Sequence, residues 1–424
     1  MKSLLRNVFG IKKDELSLVI HLFINFLIIM TTFYVIKSVR NSLLIQWYGL
    51  EILPYIWAGS VLVLAAVVFV YNRSVDLLSA RKVTLFSAVF FTFLLILISS
   101  TLKKMPGSAI ALYIWGDVFS LLMVEQFWSH TNALFDPKDA KKNYGIIASG
   151  GILGGLLGSG LVAIFVSKVG SVNMPLVASV FMLILIFTSW SFGRIVGDRQ
   201  LRFRAGSLGE KKEGQSEEQN GSAWKMITTN RVFLLTLLTL ISLQIISTFI
   251  DFQFNKVVEQ TYDRVDAKSI FFGQFYLGLN LVSLLSVLIL VPPIFQVLGF
   301  MMGLFVLPLA NLMGFGLAFL FDAPVLSVAL KLIDNSLTYS VNRTSRELVY
   351  SSGNWNNNNK AKVLIDVLGA SSSKFIAALV IIPNTAELTL HSLSIINMVA
   401  CLITSFLVFL IIRSMNQTSV KGKL

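Results

Sequence analysis

Twelve long apolar stretches constrain this chain more than any other feature of its sequence. Each has about 20 residues, the length that an α-helix needs to cross the hydrocarbon core of a bilayer. Hydrophobic residues make up 55% of the chain and the mean hydropathy is +0.75, which excludes a soluble globular protein. The sequence therefore predicts an all-α membrane protein with twelve transmembrane helices, at about 16–36, 52–71, 82–101, 108–128, 145–167, 172–193, 230–251, 270–291, 299–321, 323–341, 363–383 and 389–412.

The positive charges indicate how these spans are oriented. The chain has a net charge of +13, and the large majority of its 35 Lys and Arg residues lie in alternate connecting segments, beginning with the N-terminal one. This is the positive-inside pattern, and it predicts that both termini are cytoplasmic. A nucleic-acid partner would instead require a basic patch with interleaved aromatic residues on a soluble domain, so no such partner is expected.

One long polar segment divides the spans into six and six. Residues 197–229 combine Gly and Ser with several charged residues, a composition typical of a flexible linker. We expect an N-terminal six-helix half at 1–196, a cytoplasmic linker at 197–229 and a C-terminal six-helix half at 230–424. This is the layout of the major facilitator architecture, in which a substrate site lies between the halves near the bilayer midplane.

Two local patterns bear on helix packing. The glycine-rich segment 145–160 favours close helix contact over a phosphate-binding loop, because it follows a charged loop and no strand. Pro292 and Pro293 are expected to end the eighth span, and Pro324 is expected to open the tenth, where a missing N–H costs little.

In the first half, charged residues lie within or beside two spans. Lys37 and Arg40 are three residues apart at the end of the first span, and Asp117 and Glu125 are two turns apart on the fourth. The two bases could bind a substrate or extend to the outer interface. A carboxylate of the fourth span could carry a proton or form a structural ion pair with the first span.

In the second half, Asp251 follows an apolar helix, where it could serve as a gate or be a solvated helix end. Lys331 and Asp334 are three residues apart on the tenth span, a spacing that predicts a local ion pair. Arg346 follows at the inner end of that span, and Asp366 and Lys374 share one side of the eleventh.

The intramembrane bases predict a class of ligand. Lys374 lies too deep in its span to reach the interface easily, which makes it a strong ligand candidate. If the basic side chains converge on one cavity, they would suit a multiply charged anion, since Lys and Arg bind phosphate oxygens through charge-assisted hydrogen bonds. The set comprises Lys37, Arg40, Lys331, Arg346 and Lys374.

Catalytic signatures are absent from the sequence. It contains three histidines, which lie in or beside different spans, and one cysteine, Cys401, inside the last span. No metal-ligand spacing, P-loop or nucleophile elbow is present. We therefore expect neither an enzyme nor a bound metal or cofactor.

Several short segments of the chain together form a recognisable pattern. The most specific is 360–367 (KAKVLIDV), followed by Lys374. Around the tenth span lie 338–340 (TYS) and 346–350 (RELVY), and the fourth span contributes 115–116 (WG), 127–128 (FW), Asn132 and 140–142 (AKK). These segments and their spacing resemble the ATP:ADP antiporter family, the nucleotide transporters of plastids and intracellular bacteria.

The resemblance extends to the charged positions and implies roles for them. Lys37 and Arg40 occupy the family's basic places in the first span, and Asp251 with 253–255 resembles its acidic place in the seventh. By this resemblance Arg40, Asp251 and Arg346 stand where the family uses charged residues in transport. Two family Lys are Arg here and one Glu is Asp, and either Asp117 or Glu125 could be the fourth-span carboxylate.

The resemblance implies a monomeric nucleotide transporter of a bacterial inner membrane that exchanges ATP and ADP, or a related phosphorylated anion, by alternating access. Substrate binding would fall to Lys37, Arg40, Arg346 and Lys374. Gating or coupling would fall to a second set: Asp117, Glu125, Asp251, Lys331, Asp334 and Asp366. Two alternatives stay open, a proton-coupled carrier of another organic anion and a membrane scaffold that transports nothing.

Overall fold

The computed structural model describes residues 13–77, 80–135, 137–195, 227–321, 323–352, 359–385 and 388–421. Within these ranges the regular secondary structure is entirely helical, as predicted. We number the main α-helices in chain order: α1 Lys13–Tyr48, α2 Ile52–Leu77, α3 Ala80–Thr101, α4 Gly107–Leu134, α5 Pro137–Val169, α6 Met174–Ile195, α7 Arg231–Thr261, α8 Val265–Leu285, α9 Val291–Val297, α10 Gly299–Leu320, α11 Pro324–Leu337, α12 Arg343–Ser352, α13 Asn359–Ile381 and α14 Leu390–Lys421.

Ten helical segments of the described chain are long and apolar enough to cross a membrane. They lie in α1 to α7, in α8 with its continuation, in α10 and in α14. The remaining two predicted spans correspond to α11 and α13, which carry the charged residues of the second half. The chain is therefore a helical protein with many membrane spans, an architecture in which a segment in lipid can pair its own backbone polar groups.

Contacts divide the chain into two compact units. The first comprises Met1–Gly49, Leu62–Glu210 and Tyr262–Asn280, and the second comprises Leu50–Val61, Lys211–Thr261 and Leu281–Leu424. The predicted boundaries at 196 and 230 remain a prediction, and most of the 197–229 linker (197–226) lies outside the described residues.

The same helix pairings occur in both units. In the first unit α1 packs against α4, α5 and α6, while α3 packs against α4 and α6. In the second unit α7 packs against α11, α13 and α14, while α10 packs against α11 and α14. Because the first, third, fourth, fifth and sixth helices pair identically in each, the two sets of helices are structural repeats of one another.

The glycine-rich segment of α5 packs against α1 on one face. A Cβ added at Gly154 would overlap the carbonyl oxygen of Leu27, and one at Gly158 would overlap that of Thr31. These two glycines are four residues apart and therefore lie on one face of α5, where they allow the two backbones to approach closely. This contact confirms the prediction that the segment serves helix packing.

A second face of α5 contacts α8 within the first unit. A Cβ on Gly155 would meet the side chain of Asn280, and one on Gly160 would lie 3.2 Å from Leu277. At the end of the same helix pair, Asp266 of α8 accepts hydrogen bonds from the backbone N–H of Ser171 (2.8 Å) and from its hydroxyl (2.5 Å). The small residues of α5 thus hold α1 and α8 on different sides.

Two glycines end long helices by adopting positive φ. Gly49 (φ 71°) donates its N–H to the Ile45 carbonyl at the end of α1, and Gly170 (φ 82°) donates to Val166 at the end of α5. A left-handed residue at this position closes the last turn, and glycine adopts it without a Cβ clash.

The expectation that Pro292 and Pro293 end the eighth span is wrong. The helix passes through a π-helical turn at Ser286–Leu290 and continues as α9 to Val297. Proline removes an N–H donor, and in lipid a local change of helical pitch can pair the carbonyls that this leaves free. The prolines therefore follow a change of pitch instead of ending the span. Pro324, by contrast, opens α11 as predicted.

Candidate functional site

In the first unit, Arg40 forms a buried ion pair with Asp117. Its Nη1 lies 2.8 Å from Asp117 Oδ1 and also donates to the Tyr113 carbonyl at 3.2 Å. The guanidinium carbon stands 4.3 Å from the Tyr113 ring centroid. The adjacent residue Gly116 leaves room for this arrangement, since a Cβ there would meet Arg40 Nη1 at 2.7 Å.

This ion pair joins α1 to α4. It is the structural pair between the first and fourth spans that the sequence analysis gave as one alternative. Removing two charges from water is costly, so a buried pair persists only with good geometry and additional hydrogen bonds. Arg40 is not fully satisfied, because its Nε is buried and has no hydrogen-bond partner within the described chain. One donor on the guanidinium is thus still available.

Lys37, one turn before Arg40, is surrounded by aromatic rings. Its Nζ lies 4.6 Å from the ring centroid of Tyr276, 5.4 Å from that of Tyr34 and 5.5 Å from that of Phe33. Tyr276 belongs to α8, so the lysine contributes cation–π interactions across two helices. Tyr276 could not be identified from the sequence, because an aromatic residue in an apolar span is ordinary core material.

The two carboxylates of α4 differ in environment. Asp117 is held by Arg40, whereas Glu125 is exposed and forms no ion pair with another described residue. The fourth-span carboxylate that the structure brings to the basic pair is therefore Asp117.

In the second unit, Lys331 lies 2.5 Å from Asp251, through its Nζ and the carboxylate Oδ1. The lysine side chain is 5% exposed and the aspartate 40%, so the pair sits at the edge of a buried region. The expectation that Lys331 forms a local ion pair with Asp334 is wrong. The carboxylate within ion-pair distance of Lys331 is instead that of Asp251 on α7. Asp251 is accordingly a partner of α11 and not simply a solvated helix end.

Asp334 is completely buried in the same region. Its Oδ1 accepts a hydrogen bond from Asn311 Nδ2 of α10 at 2.8 Å, and both residues are 0% exposed. Asn311 is a residue that sequence reasoning missed. Its signal was available, since a lone amide in an otherwise apolar span requires a polar partner.

At the other end of this span, Arg346 on α12 pairs with Asp366 on α13 at 3.2 Å, from Nη1 to Oδ1. This pair is less buried than the first, with side chains 18% and 39% exposed. Like Arg40, Arg346 keeps a buried Nε without a hydrogen-bond partner among the described residues. A π-helical turn at Thr338–Asn342 separates α11 from α12, and such turns often occur at functional sites.

Within the second unit, Lys331 and Arg346 do not share a contact, and the convergence of the basic residues on one cavity stays a prediction. Lys331 and Arg346 are 15 residues apart on one continuous helical run, or roughly 20 Å along its axis. They belong to separate ion pairs with different carboxylates. Lys374 is exposed on α13 and forms no ion pair within the described part of the chain. No group of three or more potential metal ligands occurs in the described residues.

Several solved structures of transporters are similar to this chain in fold. The chain superimposes on a mutant of the nucleoside transporter NupG with a TM-score of 0.65 at 14% identity, covering 93% of this chain and 99% of that one. For the POT family transporter PepTSo the TM-score is 0.66 at 11% identity, covering 94% and 98%. A bacterial homolog of the human lysosomal transporter Spinster gives 0.62 at 12%, covering 96% and 98%.

The chain has the major facilitator fold. At these identities the likeness establishes the fold alone. No family model matches the sequence, and no curated protein does either. The ATP:ADP antiporter resemblance therefore remains a hypothesis supported by the motifs.

Proposed function

We propose that this chain is a membrane transporter that exchanges nucleotides, ATP against ADP or a related phosphorylated anion, by alternating access. One observation carries the proposal. The two arginines at the positions that resemble the antiporter family, Arg40 and Arg346, are each paired with one carboxylate while each keeps a buried Nε–H without an acceptor. A phosphate group presents oxygens that could use such a donor.

The ion pairs provide a physical route from binding to movement. In the structure Asp117 neutralises Arg40, and Asp366 neutralises Arg346. A phosphoryl group offers the guanidinium a bidentate partner of higher charge, which would displace the carboxylate. Each displacement would release a link between two helices, α1 to α4 or α12 to α13. Substrate binding would in this way loosen these helix contacts.

Lys37 and Lys374 differ in what they could add. Lys37 is three residues from Arg40, and its aromatic surroundings would keep it positioned for a second phosphate oxygen. Lys374 is exposed on a span, an expensive location in hydrocarbon unless it faces water or a ligand. We assign both to phosphate binding.

We infer the cellular setting from the family resemblance and the charge pattern. By the resemblance the transporter would be a monomer in a bacterial inner membrane, and the excess of Lys and Arg in alternate segments would place both termini in the cytoplasm. Transport would require no hydrolysis and no cofactor, since the substrate gradients drive the exchange.

The decisive experiment is uptake of radiolabelled ATP into proteoliposomes that are preloaded with ADP, compared with empty vesicles. We expect uptake that depends on the preload and that Arg346→Ala reduces at least about tenfold, the effect of losing one charged hydrogen bond. Arg343→Ala is the matched control, because Arg343 is an exposed arginine on the same helix. Folded protein that takes up no nucleotide would overturn the proposal.

The same preparation separates the two alternatives. A proton-coupled carrier of another anion would require a pH gradient, whereas exchange would proceed without one. A scaffold would bind no nucleotide at all, and Arg346→Ala would then lower only the thermal stability and the yield.

A further inference from the structure

A buried cluster in the second unit contains more acids than bases. Asp334 and Asp251 supply two carboxylates, and Lys331 supplies one ammonium group. Asp334 is 0% exposed and Lys331 is 4% exposed, whereas the Asp251 side chain, at the edge of the cluster, is 40% exposed. If all three were ionised, the cluster would carry a net negative charge inside a membrane span, which is costly without a further partner.

The surroundings of Asp334 supply no second cation. From α10 the facing polar group is the amide of Asn311, and from α7 it is the hydroxyl of Ser247 in addition to Asp251. On α14 the titratable group that faces Asp334 is the buried Cys401. On the helical run that carries Asp334 itself, the neighbouring titratable groups are Lys331 and Tyr339. Lys331 is the only cation that the described residues bring to this carboxyl group.

The hydrogen bonds of Asp334 are asymmetric. Oδ1 accepts from Asn311 at 2.8 Å, while Oδ2 is buried and receives no hydrogen bond of normal geometry from the described residues. An ionised carboxylate needs donors at both oxygens, whereas a neutral acid needs an acceptor at its hydroxyl. Because the buried Oδ2 lacks a donor, the ionised form is incompletely hydrogen-bonded, which favours the protonated form.

Lys331 has two possible partners. Its ammonium group is 2.5 Å from Asp251, and Asp334 is three residues along the same helix, which is within reach of the same lysine. While Asp251 holds the lysine, Asp334 lacks a close counter-ion. Should Asp251 withdraw, the lysine could turn to Asp334 and stabilise its ionised form.

We propose that Asp334 is a proton-binding site, neutral while Lys331 pairs with Asp251 and ionised when that pair opens. While Asp334 holds the proton, the three groups have no net charge. Once the proton leaves, Lys331 and Asp334 form a neutral pair, and the remaining negative charge lies on Asp251, whose side chain is 40% exposed. The proton is a ligand additional to the transported anion, and its binding does not depend on which anion that is. A pair that opens during transport would make the cycle sensitive to pH.

Infrared difference spectroscopy on the purified full chain in lipid tests this directly. At neutral pH we expect a carbonyl band of a protonated carboxylic acid that shifts in D₂O and disappears on alkaline titration. Asp334→Asn should abolish the band and still fold, since a neutral amide replaces a neutral acid of the same shape. Asp117→Asn, which removes an ion-paired carboxylate, should leave it unchanged.

A second variant keeps the proposal falsifiable if Asp334→Asn does not fold. Asp251→Asn frees Lys331 to pair with Asp334 and stabilise its ionised form. The band should then be lost at a lower pH than in the parent protein, at a proton concentration at least about tenfold higher. Asp334→Glu should retain an acid band at a shifted frequency. A band that persists unchanged in Asp334→Asn, or in both Asp251→Asn and Asp334→Glu, would overturn the proposal. Removal of the band by Na⁺ at constant pH would also overturn it, in favour of a sodium site.

These infrared measurements are made without added nucleotide, so they test the proton site separately from the proposed substrate. A failure of nucleotide exchange with the band intact would refute only the proposed substrate. Nucleotide exchange without the band would refute only the proton site.

Discussion

Lys331 on α11 is paired with Asp251 on α7, 2.5 Å apart, and this pair joins the same two helices of the second repeat that Arg40 and Asp117 join in the first. The charges are exchanged between the repeats. In the first, the base is on the first helix and the acid on the fourth, and in the second the order is reversed. A first-to-fourth helix ion pair is thus a repeated element of the fold.

The Arg40–Asp117 pair should be a strong contribution to stability when one partner alone is removed. Arg40→Ala and Asp117→Ala should each lower the free energy of unfolding by about 3–5 kcal/mol, because each leaves a buried charge without its partner. The double variant should cost less than the sum of the two. Unfolding in detergent, followed by circular dichroism, measures all three, and strictly additive losses would contradict a coupled pair.

Alanine substitutions at the glycines of α5 should differ in their effect on stability, according to what each glycine contacts. Gly154→Ala should destabilise the protein by about 1–3 kcal/mol, because the added methyl overlaps the Leu27 carbonyl and forces α1 away. Gly145→Ala is the control, because no atom lies within 4 Å of its Cβ position and alanine favours the helix. Thermal unfolding compares the two. Equal effects would mean that α5 and α1 do not pack as described.

Lys37 and Tyr276 should be energetically coupled through the ring face. Lys37→Met and Tyr276→Leu should show a coupling of about 0.5–2 kcal/mol in a double-mutant cycle on unfolding, the range of a cation–π contact. Tyr276→Phe keeps the ring and should preserve most of the coupling. If Tyr276→Phe abolished the coupling to Lys37 as completely as Tyr276→Leu, the coupling would arise from the Tyr276 hydroxyl and not from the ring face.

The single cysteine makes the predicted orientation testable. In a Cys401→Ala background, Lys104→Cys should react with a membrane-impermeant maleimide added to intact cells, because the loop after α3 is predicted to lie outside. Arg73→Cys at the end of α2 should react only after the cells are opened. Both positions are exposed in the structure. The reverse pattern would place the termini outside.

Much of this fold follows from sequence because its causes are local. Apolar runs of span length require helices in lipid, since only a helix pairs its own backbone groups. Gly150, Gly154 and Gly158 recur every four residues, so they share a helix face whatever the neighbouring helix is. Pro292 shows the limit even for local reasoning, because a π-helical turn before it let the helix continue to Val297.

The partners of the charged residues were decided by tertiary structure alone. Sequence spacing placed Lys331 beside Asp334, but packing brought Asp251 from a helix about 80 residues earlier into closer contact. It also brought Asn311 to Asp334 and Tyr276 to Lys37. Spacing along one helix is set by its own geometry of 1.5 Å per residue. Distances between helices depend on how far each slides and rotates against its neighbours, and no local pattern in the sequence records that register.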